Sequence, residues 1–128
     1  MIPAKFRVWD KDSEKMIYGV GIDPSGIPYS IPEGAEDYTQ FDYYLNGIKM
    51  QFTGLKDRNG KEIYEGDIID TNGGRGEVIW NEELAAWGVK QMVSDHTWID
   101  RLCDWTDEEV IGNIYENQEL MGDNNERD

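Results

Sequence analysis

The residues best equipped for chemistry are the single histidine and the single cysteine, His96 and Cys103, with Asp95, Asp100 and Asp104 nearby in the chain. A thiol beside an imidazole can act as nucleophile and base, and the same pair with a carboxylate can hold zinc. Glu65 and Asp67, either side of Gly66, form a second candidate, because two adjacent carboxylates can divide the acid and base roles. Each has a simpler structural reading. A lone histidine in a polar turn is a solvated turn residue, and a lone cysteine two residues before Trp105 is a small core filler. Glu65 and Asp67 suit the acceptance of turn N–H groups. Two further patterns imitate known sites and fail. Gly54 is followed after five residues by Gly60-Lys61-Glu62, one residue too many for a phosphate loop, with Glu where Ser or Thr is needed and hairpin chemistry where a helix must begin. Leu55–Gly60 aligns with the start of a calcium-binding loop, but Leu55 occupies the first ligand position. GxSxG, HExxH, CxxC and GxGxxG are missing. The expectation is a protein that is not an enzyme and uses no cofactor or metal; a small enzyme with a carboxylate or Cys/His site is the alternative.

The elements that would position these residues are short and β-prone. In Gln51–Ile69, QFTGLKDRNGKEIYEGDII, two β-prone runs flank Lys56–Lys61. There Asp57 and Asn59 can cap their own backbone and Gly60 supplies a positive φ to close a hairpin loop. Glu65-Gly66-Asp67 then turns the chain into Ile68-Ile69. Before this stretch, Phe6–Trp9 and Met16–Ile22 read as a hairpin, with Gly19 and Gly21 marking a bulge or a close backbone approach. Asp23–Gly34, with three prolines and two glycines, reads as irregular, and Tyr43–Leu45 as a short strand before the Asn46-Gly47 turn. After it come strands at Asp67–Thr71, Gly76–Trp80, Ala85–Val93, Trp98–Leu102 and Val110–Glu116, with turns at Asn72–Arg75 and Ser94–Thr97. Thr106–Glu109 has a helix-start pattern too short to continue, and Asn117–Met121 reads as a last helical turn. The closing strand is expected to pair near the start of the chain or to close a barrel. Trp9, Phe52, Tyr64, Trp80 and Trp87 fall in strands and read as core.

The fold class expected is mainly β. Residues 1–50 are expected to form an N-terminal hairpin and irregular arm, residues 51–121 a small SH3-like barrel, and residues 122–128 a flexible tail.

The same central stretch resembles the signature of the YopX family of phage and prophage proteins. An opening KFRVWDKDSEKMIY and a closing EEVIGNIYENQEL match as well, so three ordered blocks frame residues 5–120. The resemblance implies a small, mostly β, phage-encoded protein of a family with no established activity.

Composition limits the classes of function. Five Trp and seven Tyr in 128 residues argue for a packed core. No secretory h-region or long apolar run occurs, and one cysteine excludes an internal disulfide. The expected location is the cytoplasm of a bacterial host, with no membrane partner. The net charge of −15 lacks the basic stripe that direct nucleic-acid binding requires. Residues 101–128 hold nine acidic and two basic residues, a net −7. Asp104, Asp107, Glu108 and Glu109 crowd one short turn beside Trp105 and Tyr115, and like charges there repel unless solvent or a basic partner compensates them. These six residues are the candidate surface for an unknown, basic protein partner; Asp57, Asn59, Gly60, Gly66 and Asp67 are the structural turns. Self-association into a homo-oligomer, and a self-assembling structural role, are the further expectations.

Overall fold

The computed structural model describes residues 4–71, 74–93 and 96–121. Among them the protein is mainly β and antiparallel, as expected, and the chain divides between Phe52 and Thr53 into two compact units. The tail at 122–128 and the loop residues Asn72, Gly73, Ser94 and Asp95 lie outside the described residues.

In the first unit, β1 (Phe6–Asp10) and β2 (Lys15–Ile22) form the predicted hairpin. β3 (Pro28–Ser30) and β4 (Asp42–Tyr43) extend it on one side, and the first half of β5 (Gly47–Lys56) on the other. Gly19, at φ +70°, is the extra residue where Phe6 opposes Val20 but Arg7 opposes Tyr18, so the bulge is where the sequence marks it. Gly21 is the close approach: a Cβ there would lie 2.6 Å from the Tyr29 ring.

Within the stretch read as irregular, Asp23–Gly34, one short strand, β3, is a correction. Asp23 accepts the N–H groups of Ser25 and Ile27 through one carboxylate oxygen, at 2.9 Å each, and turns the chain into β3. Pro28 opens that strand, a position where the missing N–H costs the sheet little. The fourth strand is Asp42–Tyr43 rather than Tyr43–Leu45, because the chain bends away at once: the Gly47 N–H bonds the Tyr44 carbonyl and Leu45 is exposed.

In the second unit, the second half of β5 meets β6 (Glu62–Tyr64), where the Thr53 hydroxyl donates to the Ile63 carbonyl at 2.8 Å. β7 (Asp67–Thr71), β8 (Gly74–Asn81), β9 (Ala86–Val93) and β10 (His96–Arg101) then run as a meander. A 3-10 turn, Leu102–Trp105, precedes β11 (Glu109–Asn113). The hydrogen-bonded order is β10-β9-β8-β7-β11. The last strand therefore pairs with β7, neither with the chain's start nor with β10. His96 and Thr97 belong to β10 rather than to a turn, and the 3-10 turn sits ahead of the Thr106–Glu109 pattern instead of growing from it. Val110 opposes Ile69 and Gly112 opposes Ile68, so a bulge falls at Ile111. Beyond β11, N–H groups of Leu120 and Met121 bond the carbonyls of Asn117 and Gln118, the expected last helical turn.

Ile63, Ile69, Val78, Val89, Leu102 and Val110 make the core of this unit, with Leu55, Trp87 and Trp105 packed against them. The alternation of β8 and β9 aligns Val78 with Val89 and Trp80 with Trp87. Trp80 reaches the rim rather than the core: it is 45% exposed and meets the Trp87 ring edge-on, centroids 5.1 Å apart.

The turn between β5 and β6 supplies a test. Gly60 has φ +82° and no atom lies within 4 Å of where its Cβ would be, so backbone strain alone opposes a side chain there. Gly60→Val should cost about 1–3 kcal/mol, and Gly60→Asn less than about 1 kcal/mol, because Asn tolerates the left-handed region. Urea denaturation midpoints of the two variants, compared with wild type, check the ordering.

Candidate functional site

The two sets of residues singled out in the sequence meet in the second unit, through Asp57. This side chain, only 6% exposed, sits at the head of the β5–β6 turn. Its Oδ1 accepts the backbone N–H groups of Asn59 at 2.8 Å and Lys61 at 2.9 Å, the local Asx geometry the sequence suggests. Its Oδ2 accepts the Val110 N–H at 2.9 Å, 53 residues away at the start of β11. Alongside, the Arg58 N–H donates to the Glu108 carbonyl at 3.1 Å. One carboxylate therefore closes the central turn and fastens it to the acidic segment. Burial pushes the Asp57 carboxyl up, but the N–H bonds from Val110, Lys61 and Asn59, with the Lys61 charge, outweigh it and hold the pKa below the usual value.

The second turn is held in a related way. Gly66 has φ +90°; its N–H donates to the Val78 carbonyl and its own carbonyl accepts from Ile114. Asp67 is buried and its Oδ2 accepts the Tyr64 N–H at 2.7 Å, so this carboxylate is engaged with its turn, and it opposes Asn113 in the ladder. Asn113, also buried, accepts from the N–H groups of Tyr115 and Glu116. Sequence reasoning missed Asn113; the Asn-x-x-Glu-Asn pattern at the end of a β-prone run was the available signal.

Of the candidate partner-binding residues, Asp104, Asp107 and Glu109 are exposed and Glu108 is half-buried. Asp104 lies 3.7 Å from the Arg101 guanidinium, an exposed pair of small energetic weight. Trp105 is packed against the core, so it holds the segment to the sheet more than it presents it to solvent, and Tyr115 is half-buried.

His96 and Cys103 are not joined by any bond among the described residues. Both are exposed; His96 meets the Trp98 ring edge-on at 6.5 Å, and the Cys103 thiol contacts its neighbour Asp104 at 3.9 Å. The core-filler reading of Cys103 is wrong by one residue: Leu102 takes the buried position, because the tight 3-10 turn brings only one of these two neighbours inward. Asp100 accepts from the Gln91 amide, and Asp95 lies outside the described residues. Among the described residues no three His, Cys, Asp or Glu could together hold a metal ion, and no helix is long and apolar enough to cross a membrane.

In the first unit, an open recess of about 430 Å³ forms between the β1–β2 turn and residues 41–44, lined by Asp10, Asp12, Lys15 and Asp42 with Phe41, Tyr43 and Tyr44. Asp10 accepts from Ser13, and Asp12 from Asn46. The sequence does not announce this recess, since its two segments are about thirty residues apart in the chain.

The fold and these turns define a small antiparallel β protein in which buried carboxylates and a buried amide cap the backbone of the turns. The YopX protein family matches residues 5–122, and the chain belongs to that family. Two solved structures are similar to it. The crystal structure of protein EF1440 from Enterococcus faecalis is 23% identical, with a TM-score of 0.53 over 94% of this chain and 99% of that one. The crystal structure of protein yopX from Bacillus subtilis is 23% identical, with a TM-score of 0.57 over 91% of this chain and 96% of that one. No curated protein matches.

Titration of Asp57 gives a prediction with a definite sign. Its folded pKa lies below the unfolded value, so its contribution to stability is complete above the unfolded pKa, about 3.9, and is lost as pH falls through the folded pKa. Asp57→Ala, which strips three backbone N–H groups of their acceptor, should cost about 3–5 kcal/mol at pH 7. Its deficit against wild type should narrow on acidification below about pH 4. Glu77 behaves oppositely: burial raises its pKa, Lys90 lowers it and Glu65 raises it. Its charged form is therefore unfavourable above the folded pKa, and Glu77→Gln should raise Tm at pH 7 and lose that advantage in acid. Thermal melts of both variants from pH 3 to pH 7, roughly spanning the carboxylate range, read out the two signs.

Proposed function

We propose that this protein is a phage or prophage accessory protein that works without catalysis, as a binding or regulatory module engaging a basic protein partner through the acidic segment Asp104–Glu109. The observation that carries this reading is the way the segment is fixed. Leu102 is fully buried, Trp105 packs on the core, and Arg58 and Asp57 bond Glu108 and Val110. Asp104, Asp107 and Glu109 are exposed on that restrained backbone. A partner meeting pre-positioned carboxylates loses less freedom on binding than one meeting a flexible tail, so the segment suits recognition better than mere solvation. The net charge of −15 adds long-range attraction for a basic surface.

An SH3-like reading of the second unit supports a binding role. The order β11-β7-β8-β9-β10, with a 3-10 turn before the last strand, follows the strand order of such small barrels, which bind through loops and edges. The enzyme alternative would need His96, Cys103 or the carboxylates to converge, and the described contacts give each a different neighbour.

Affinity capture of the tagged protein from infected host cells, with mass spectrometry, tests the proposal. Wild type should retain a basic protein whose binding weakens as salt rises. The variant Asp104→Lys/Asp107→Lys/Glu109→Lys should lose it by about tenfold or more while keeping its circular dichroism and a Tm within a few degrees. A folded variant that keeps every partner makes the segment a solvated surface only.

A further inference from the structure

We infer that β10 is a self-pairing edge, through which two copies of this chain join antiparallel along His96–Asp100 about a two-fold axis at Trp98. In the second unit's sheet order β10 stands last, with β9 on one side. All six of its residues are exposed, Trp98 at 54% and Ile99 at 42%. A strand directs backbone N–H and C=O groups to both sides, so an end strand offers half a ladder to another chain. Proteins usually blunt such an edge with lysine, proline or a bulge. The sequence HTWIDR has no lysine or proline, and its register against β9 runs without interruption from His96 to Arg101.

The occupant follows from the pattern of side chains. A two-fold axis normal to a sheet keeps every residue on its own face, so opposed residues must share a face. About Trp98, the indole opposes its own counterpart, His96 opposes Asp100 of the second copy, and Thr97 opposes Ile99. His96, Trp98 and Asp100 share one face, opposite Val93, Gln91 and Val89 of β9, and the His96 and Trp98 rings are already in contact. Across the axis that face would read His-Trp-Asp against Asp-Trp-His. An aromatic pair at the centre would have an imidazole–carboxylate pair on each side, both favourable cross-strand combinations. Centring on Ile99 instead would set Trp98 against Asp100 and Thr97 against Arg101, which brings no such complement. The net charge opposes association, and salt screens that opposition, so the dimer should tighten as salt rises. This dependence is the reverse of that expected for a basic partner.

Sedimentation equilibrium over a wide concentration range, at low and moderate salt, tests the inference. Wild type should form a dimer, more completely at the higher salt. His96→Glu opposes carboxylates at two symmetry-related places and should weaken the dimer by about tenfold or more. Adding Asp100→Lys to that variant should restore it. In a Cys103→Ser background, Trp98→Cys should give a disulfide-linked dimer on oxidation, because facing Cα atoms at such a pair lie within bonding reach. A wild type that is monomeric throughout overturns the inference. So does a dimer indifferent to His96→Glu, or one that Asp100→Lys fails to restore. If His96→Glu does not fold, the cross-link decides, and its failure to form overturns the inference.

Discussion

The structure of the second unit depends on the Asp57 carboxylate. A buried carboxylate is costly, and it is tolerated here because each of its oxygens accepts backbone N–H groups that would otherwise go unpaired. Two of these bonds shape a turn and the third holds a strand. The strand is the last in the sheet, so the order β11-β7-β8-β9-β10 relies on a group that lies in none of those five strands. Asp67 shows the same device on a smaller scale, with its carboxylate serving the Tyr64 N–H at the entry to β7. Where side chains cap backbone in this way, the residue type is fixed by geometry. Glutamate in place of Asp57 would carry the same charge but could not keep the short Asx reach.

How much of this was legible in the sequence follows the range of each interaction. The Asn59 and Lys61 bonds span two and four residues, and DRNGK announces them. Gly60 and Gly66 adopt the positive φ their turns require, and Gly19 marks its bulge, because these are local demands on backbone conformation. The Val110 bond was invisible: nothing local distinguishes an aspartate that caps one turn from an aspartate that also holds a strand 53 residues on. β3 was hidden for another reason. Proline and glycine density suppressed a strand whose pairing with β2 and β4 is set by neighbours, not by its own propensity. The core was legible in kind and shifted in detail, with Leu102 inside where Cys103 was expected and Trp80 at the rim.

Family membership and fold travel together here. Structures that are 23% identical share the fold over more than nine-tenths of this chain. The match over residues 5–122 includes all eleven strands, so the two units belong to one family architecture.

The acidic segment owes its place to topology. β10 and β11 are consecutive strands at opposite ends of one sheet order, so the chain between them must leave one edge and reach the other. The connection is short, residues 102–108, and it is held at a fixed point along its way. Leu102, fully buried immediately after β10, is that fixture, with Trp105 one 3-10 turn later and the Asp57 bond to Val110 at the far end. These three anchors determine the backbone path and leave Asp104, Asp107 and Glu109 outside it. None of the three carboxylates is needed for the crossing, which uses apolar burial and a main-chain hydrogen bond. Asp37 offers a contrast. It too is exposed, yet its carboxylate accepts the N–H and hydroxyl of Thr39 and caps a 3-10 turn, and these bonds lower its pKa. Asp107 and Glu109 have no counterpart of that role among the described contacts. Their acidity is therefore a property of the surface rather than of the fold.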